Sequence, residues 1–314
     1  MHEHPESGWP RGEPRPRSKG DPVPTLAVTI AEVRVQVAAR KTDARGRGVA
    51  EPTVALVPTM GALHNGHLAL VRRAREIADV VVVSVFVNPL QFSEAEDLDR
   101  YPRDLDSDIR TLDGDAAGAE AIVFAPTPGE MYPDGRTQTK VTAGNVGNLL
   151  EGRSRAGHFD GVLVVVSKLL NIVQPDVVLF GQKDAQQVFV VSRMVHDLNI
   201  PVKVEVVETV REDDGLALSS RNRFLDERER LAARVLSRTL EAADSAADGG
   251  IDSVIAAAQA AGMGEPLVDL EYLSVVNPTT FLPVDDGYHG KAIVLVAARV
   301  GATRLIDNET VYLG

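Results

Sequence analysis

Residues 53–87 read TVALVPTMGALHNGHLALVRRAREIADVVVVSVFV, and the fold is decided by how this stretch is parsed. Thr53–Pro58 is a short apolar run between prolines, which predicts a buried strand. Thr59–Gly66 carries two glycines and reads as a loop. From His67 onward Leu68, Leu70, Val71, Ala74, Ile77 and Ala78 recur at helical spacing, with arginines on the opposite face. Asp79 closes that helix. Val80–Val87 is continuous and β-branched, as suits a strand covered on both faces. Strand, glycine turn, helix and strand make a βαβ unit.

The alternation continues downstream. Gly161–Val173 predicts a helix, Asp176–Phe180 a strand, Ala185–Leu198 a helix and Val202–Val207 a strand. This argues for an α/β fold, a doubly wound parallel sheet covered on both faces. Upstream, order begins with Val23–Val37, and the Arg/Gly stretch Ala44–Gly48 reads as an exposed loop. Beyond about Val210 the character changes. Asp226–Ala247 predicts one long amphipathic helix and Asp252–Ala261 a second, followed by strands over Val268–Val276 and Lys291–Val300. Arg304–Asn308 then leads into a short terminal strand. The expected organisation is a parallel α/β domain over 25–210 and a smaller α+β domain over 211–314. Residues 1–24 hold six of the eighteen prolines and almost nothing apolar, so they predict a disordered extension.

Composition narrows the function. No apolar run approaches the roughly 20 residues of a membrane span, and the N-terminus lacks the apolar core of a secretory signal. The absence of cysteine excludes disulfides, thiolate metal sites and thiol catalysis. Both point to a cytoplasmic protein. With 45 acidic against 33 basic residues the net charge is −12, unsuited to non-specific nucleic-acid binding.

In an open parallel sheet, ligands bind beyond the carboxyl ends of the strands. Four loops are therefore of interest. In Pro58–His67, His64 and His67 stand i, i+3 at a helix start, where free N–H groups favour an anion and Gly61 and Gly66 allow its close approach. Two imidazoles there suit a transferring phosphoryl group or, equally, a metal, although no third ligand is evident nearby; a surface turn with incidental histidines is the plainer alternative. In Val87–Phe92, Asn88 and Gln91 suit a small hydroxylated or carboxylated substrate, while Asn-Pro is also an ordinary turn initiator. In Phe180–Gln187, Lys183 is a point charge for phosphate, Asp184 a helix cap or ribose acceptor, and Gln187 faces the same crevice. In Leu218–Arg223, two serines and an arginine make an anion clamp. A Walker A sequence, a nucleophile elbow and a G-x-G-x-x-G fingerprint are all absent, which disfavours a covalent hydrolase and a nicotinamide enzyme.

The runs PTMGALHNGH, FVNPLQF, YPRD, MYPDG, GHFDGV, FGQKDAQQ, LSSRNRFLD and AARVGATRLIDN occur in order over about 53–310, and together they resemble the pantothenate synthetase (pantoate–β-alanine ligase) family. The resemblance implies a Rossmann-type, nucleotidyltransferase-like domain with a smaller C-terminal lid, in a homodimer. It implies that pantoate is activated by MgATP to pantoyl adenylate, which β-alanine then captures. By motif, Met60, Gly61, His64, Gly66 and His67 match the ATP loop, with His67 the family's proton donor. Gly181, Lys183 and Asp184 match phosphate and ribose contacts, and Ser219, Ser220 and Arg221 the phosphate clamp. Val210 and Leu218 match backbone contacts to adenine. Gln91, Gln187 and Asn88 match the pantoate site, Gln91 also lying near β-alanine. Tyr101, Arg155 and His158 match further pocket residues.

Three departures accompany the match. Gln182 stands where the family carries Glu, and Ala185 where it carries an aromatic, which implies an altered seat for Lys183 and a looser pocket wall. Ser107 and Asp108 replace an acidic pair, leaving Asp108 as the metal candidate for Mg²⁺. Two alternatives remain: an adenylyltransferase with a phosphate acceptor, and a non-catalytic nucleotide-binding module degenerate at 182 and 185. An aminoacyl-tRNA synthetase is remoter, since this acidic chain shows no tRNA-binding appendage.

Overall fold

The computed structural model describes residues 23–92, 98–99 and 101–314. Except for Val23 and Pro24, the expected N-terminal extension lies outside the described residues. Six parallel strands form the larger sheet: β1 (Thr25–Ala27), β2 (Val54–Thr59), β3 (Val80–Val85), β4 (Ile122–Phe124), β5 (Val177–Gly181) and β6 (Lys203–Val207). Their order is β1-β4-β3-β2-β5-β6. From β2 the chain winds outward through β3 and β4, then returns to β5 and β6 on the other side. The direction reverses between β2 and β5, so the loops leaving these two strands flank a crevice.

Side chains alternate across the sheet and select two layers. Leu56, Val82, Ile122 and Phe180 face α1 (Ile30–Gly46), α4 (His158–Val173) and α5 (Ala185–Asp197). Ala55, Val57, Val81 and Leu179 face α2 (Asn65–Ile77) and α3 (Leu105–Asp113). The parallel doubly wound sheet expected from the sequence is therefore present.

The smaller sheet is antiparallel, with β7 (Val268–Val276), β8 (Gly290–Val300) and β9 (Thr303–Leu313) in that order. On one face it packs against α6 (Glu227–Ala233), α7 (Val235–Ser245) and α8 (Gly250–Gly262) through Leu236, Leu240, Val254, Val294 and Val296. On the other, Leu295, Val276 and Phe281 meet Ala185 and Phe189 of α5.

Several local expectations are corrected. Ala44–Gly48 is not an exposed loop: α1 runs to Gly46 and buries Ala44, started by a capping box between Thr29 and Glu32. The long helix over 226–247 is two helices. Arg234 stands between them, its Nε donating to the Asp214 carbonyl at 3.2 Å. β9 is a single long strand rather than a short terminal one. Strands β1 and β4 are only three residues each, too short to show a period.

Candidate active site

The loop leaving β2 is held from beneath. Thr59 Oγ1 donates to the Ser84 carbonyl at 2.7 Å and accepts from Gly61 N–H at 3.2 Å. The Asp108 carboxylate accepts from Ala62 N–H at 3.2 Å and Leu63 N–H at 2.7 Å. Gly61 has φ +82°, and a Cβ there would lie 2.8 Å from Asp108 Oδ2, so glycine is required twice over. Asp108, expected as a metal ligand, accepts these backbone amides and shapes the loop.

His64 caps α2. Its Nδ1 accepts from Gly66 N–H at 3.1 Å, while His67 Nδ1 accepts from His64 N–H at 3.3 Å. This is a capping box made of two imidazoles, their centroids 4.1 Å apart. Because each Nδ1 is an acceptor, each neutral ring carries its proton on Nε2. Burial, reinforced by the positive charge of Lys183, lowers His64 to about 4. Burial, the neighbouring His64 and Lys183 lower His67 to about 3. Both rings are therefore neutral Nε2–H donors at neutral pH.

After β3, Asn88 is fully buried at 0% exposure and lies behind the cavity rather than in it. Tyr132 Oη donates to Asn88 Oδ1 at 2.8 Å. Asn88 Nδ2 in turn donates to Gln91 Oε1 and the Gly161 carbonyl, both at 3.0 Å. Asn88, expected at the pantoate site, is held by these bonds behind Gln91 and orients it, leaving the Gln91 Nε2 donors available. His158 donates from Nδ1 to the Gln91 carbonyl at 2.9 Å, the orientation required because the carbonyl is acceptor-only. Burial first, then Arg155, lowers His158 to about 4.

These loops converge on one cavity of about 240 Å³. Met60, His64, Gly66, His67, Gln91, Gly181, Lys183, Asp184, Gln187, Val210, Leu218, Ser219, Ser220 and Arg221 all line it, as do Tyr101, Arg155 and His158. Among the sequence-selected residues, Gly61, Asn88 and Asp108 do not. Asp184, expected as a helix cap, makes no side-chain capping bond and is exposed. The Val210 carbonyl accepts from Leu218 N–H at 2.9 Å, which sets the edge of the cavity.

The apolar floor escaped the sequence reading. Val162, Val165, Val166 and Leu169 line the cavity from α4, alongside Phe86 and Phe180. Their i, i+3, i+4, i+7 spacing was visible but reads equally as core. Gly161 lets α4 approach: a Cβ there would lie 2.1 Å from the Leu90 carbonyl oxygen. Gln182 and Ala185 lie off the cavity wall. Ala185 packs in the junction between the two sheets with Phe281 and Leu295, and lines a smaller adjoining cavity with Arg155, His158, Lys183 and Gln187.

A model of the family described as pantoate-beta-alanine ligase matches residues 26–310, from β1 into β9. The chain belongs to the pantoate–β-alanine ligase family. It is 56% identical over 290 residues to the pantothenate synthetase of Leifsonia xyli subsp. xyli, covering 92% of this chain and 99% of that one. It is 52% identical over 270 residues to that of Thermobifida fusca, covering 83% and 90%. Among solved structures, the pantothenate synthetase of Thermus thermophilus superposes with a TM-score of 0.81 at 45% identity, over 91% of this chain and 98% of that one. The ligase of Francisella tularensis, solved with β-γ ATP and β-alanine, gives 0.71 at 32% identity, over 91% and 97%. The ligase family thus accounts for both sheets, and the chain is an enzyme of that family.

Proposed function

We propose that this ligase condenses pantoate with β-alanine at the expense of ATP, through pantoyl adenylate, giving pantothenate, AMP and pyrophosphate. The observation that carries the reading is the convergence of a double-imidazole helix cap, Lys183 and Gln91 on one cavity at the switch point of the sheet. In the first step a pantoate carboxylate oxygen bonds to the α-phosphorus as the bond to pyrophosphate breaks. In the second, the β-alanine amine bonds to the acyl carbon, AMP leaves with the acyl oxygen, and the nitrogen gives up a proton. No covalent enzyme intermediate is needed, so positioning and charge stabilisation carry the catalysis.

The roles follow from chemistry. At the α2 N-terminus, where the caps already take the His64 and Gly66 N–H groups, the Nε2–H groups of His64 and His67 donate to phosphoryl oxygens as charge develops. Lys183 supplies a point charge, and Ser219, Ser220 and Arg221 close over the departing pyrophosphate. Gln91 and Gln187 hold the pantoate oxygens, and the α4 floor receives its branched hydrocarbon. The neutral glutamines at the acceptor end favour a carboxylate acceptor over the phosphate acceptor of an adenylyltransferase, which calls for cations.

Among the described residues no group of three His, Asp or Glu could hold a metal ion, and Asp108 is bound to backbone amides. The residues do not form a protein cage for Mg²⁺, so we treat the ion as part of the substrate MgATP. We take residues 25–210 as the ATP- and pantoate-binding domain and 211–314 as a lid, acting in a cytoplasmic homodimer. No described helix is long and apolar enough to cross a membrane. Sedimentation at twice the chain mass supports the dimer; sedimentation at the chain mass contradicts it.

Mass-spectrometric product analysis tests the reaction. Pantothenate and AMP in equal amounts, only with pantoate and β-alanine both present, is the expected result. ADP formation, or AMP transfer to a phosphate acceptor, would overturn it. ATP binding without turnover would favour the degenerate module.

A further inference from the structure

We infer that Asn308, on β9 of the smaller sheet, is a positioning residue for Lys183, so that the far sheet sets the geometry of the ATP site; this rests on the functional reading above. The turn carrying Lys183, Gln182–Asp184, is locally unsupported: neither it nor the start of α5 has a side-chain cap. Its support comes from across the junction. Asn308 Nδ2 donates to the Gln182 carbonyl at 3.0 Å and the Lys183 carbonyl at 2.9 Å. Of the two ends of the Asn308 amide only the NH₂ can donate to these carbonyls, which fixes the orientation of the side chain. Asn308 is 1% exposed and pairs with Leu295 in the β8–β9 ladder, so its own position is set by the small sheet.

The adjacent residue braces the opposite wall. Asp307, 3% exposed, accepts from Arg211 Nη1 at 2.5 Å and Nη2 at 3.3 Å. Arg211 directly follows Val210, which lines the cavity. Two consecutive residues of β9 therefore hold both the Lys183 turn and the Val210 edge. A lysine is a point charge on a flexible stem, so the placement of its backbone limits where Nζ can reach. Displacement on the order of 1 Å costs up to about 10²-fold in rate.

The test uses the full-length protein, with ATP affinity measured by calorimetry and the KM for pantoate by turnover. Asn308→Ala is expected to raise the Kd for ATP tenfold or more and leave the pantoate KM within twofold. Tyr272→Phe serves as the comparison, because it removes a different bond across the same junction, the Tyr272 hydroxyl to Glu151 at 2.8 Å. It should leave both constants within twofold. A folded Asn308→Ala with unchanged ATP affinity overturns the inference. So does a parallel rise for ATP and pantoate, or an equal effect of Tyr272→Phe, since each indicates general loosening of the junction. Should Asn308→Ala fail to fold, Asn308→Ser, which keeps one donor, decides by the same criteria. A wild type that binds no ATP would instead overturn the functional reading.

Discussion

Two histidines serve at once as a helix cap and as the donors at its end, and one tautomer serves both purposes. Each Nδ1 is occupied by a backbone N–H, so each Nε2–H is available. Burial and Lys183 hold His64 at about 4, and burial, His64 and Lys183 hold His67 at about 3, both below an ordinary histidine. The neutral forms are those the fold favours. Their contribution is complete above the ordinary range near 6.5 and is lost as pH falls through those values. Accordingly, kcat/KM for ATP should show no histidine step between about pH 6 and 8. A step near 6.5 would show an imidazolium at work. His67→Ala should lower kcat by about 10²–10³ with little change in ATP affinity, as for the loss of an oxyanion donor; unchanged kcat would make His67 structural. Gln91→Ala should raise the pantoate KM well beyond the ATP KM, and equal effects on both would contradict its role.

At the scale of elements, α4 reaches the substrate floor only because Gly161 lies against the Leu90 carbonyl, and Asn88 ties the two together. Gly161→Ala should destabilise the protein by roughly 1–3 kcal/mol as an overpacked contact and weaken pantoate binding as Gln91 shifts. An unchanged melting temperature and unchanged pantoate KM would contradict this. The elements that position the site were the most legible in the sequence. β2 and β3 are continuous apolar runs and α2 carries a clear helical period, and the parallel sheet follows from the alternation of strand and helix. Less legible were β1 and β4, too short for a period, and the break at Arg234, where the side chain reaches a carbonyl twenty residues away in the chain. The same limit applied to the site. His64, Lys183 and Gln91 stand out by type and loop position. Asn88 and Asp108 drew attention too, but their partners, and so their supporting roles, are set by contacts distant in sequence.

The whole molecule is held together by a polar junction as well as an apolar one. Arg304 of β9 grips Glu151 through both carboxylate oxygens at 2.7 Å, and Tyr272 and Arg155 complete the site at 2.8 and 3.1 Å. Burial alone would raise the Glu151 carboxyl, but the bonds and charge of Arg304, aided by Arg155, hold it at about 2. Because the folded carboxyl titrates below its ordinary 4.5, its stabilisation is present above that pH and is lost as pH falls toward 2. Glu151→Gln should cost about 3 kcal/mol, read as a lower melting temperature at pH 7, with the deficit shrinking toward pH 3. A pH-independent deficit would remove the charge from the argument. The central claim is that the cavity activates a carboxylate as its adenylate, and exchange of labelled pyrophosphate into ATP tests it most directly. With β-alanine withheld, exchange that appears only when pantoate is added is the predicted result. Binding of ATP with no pantoate-dependent exchange would contradict the account.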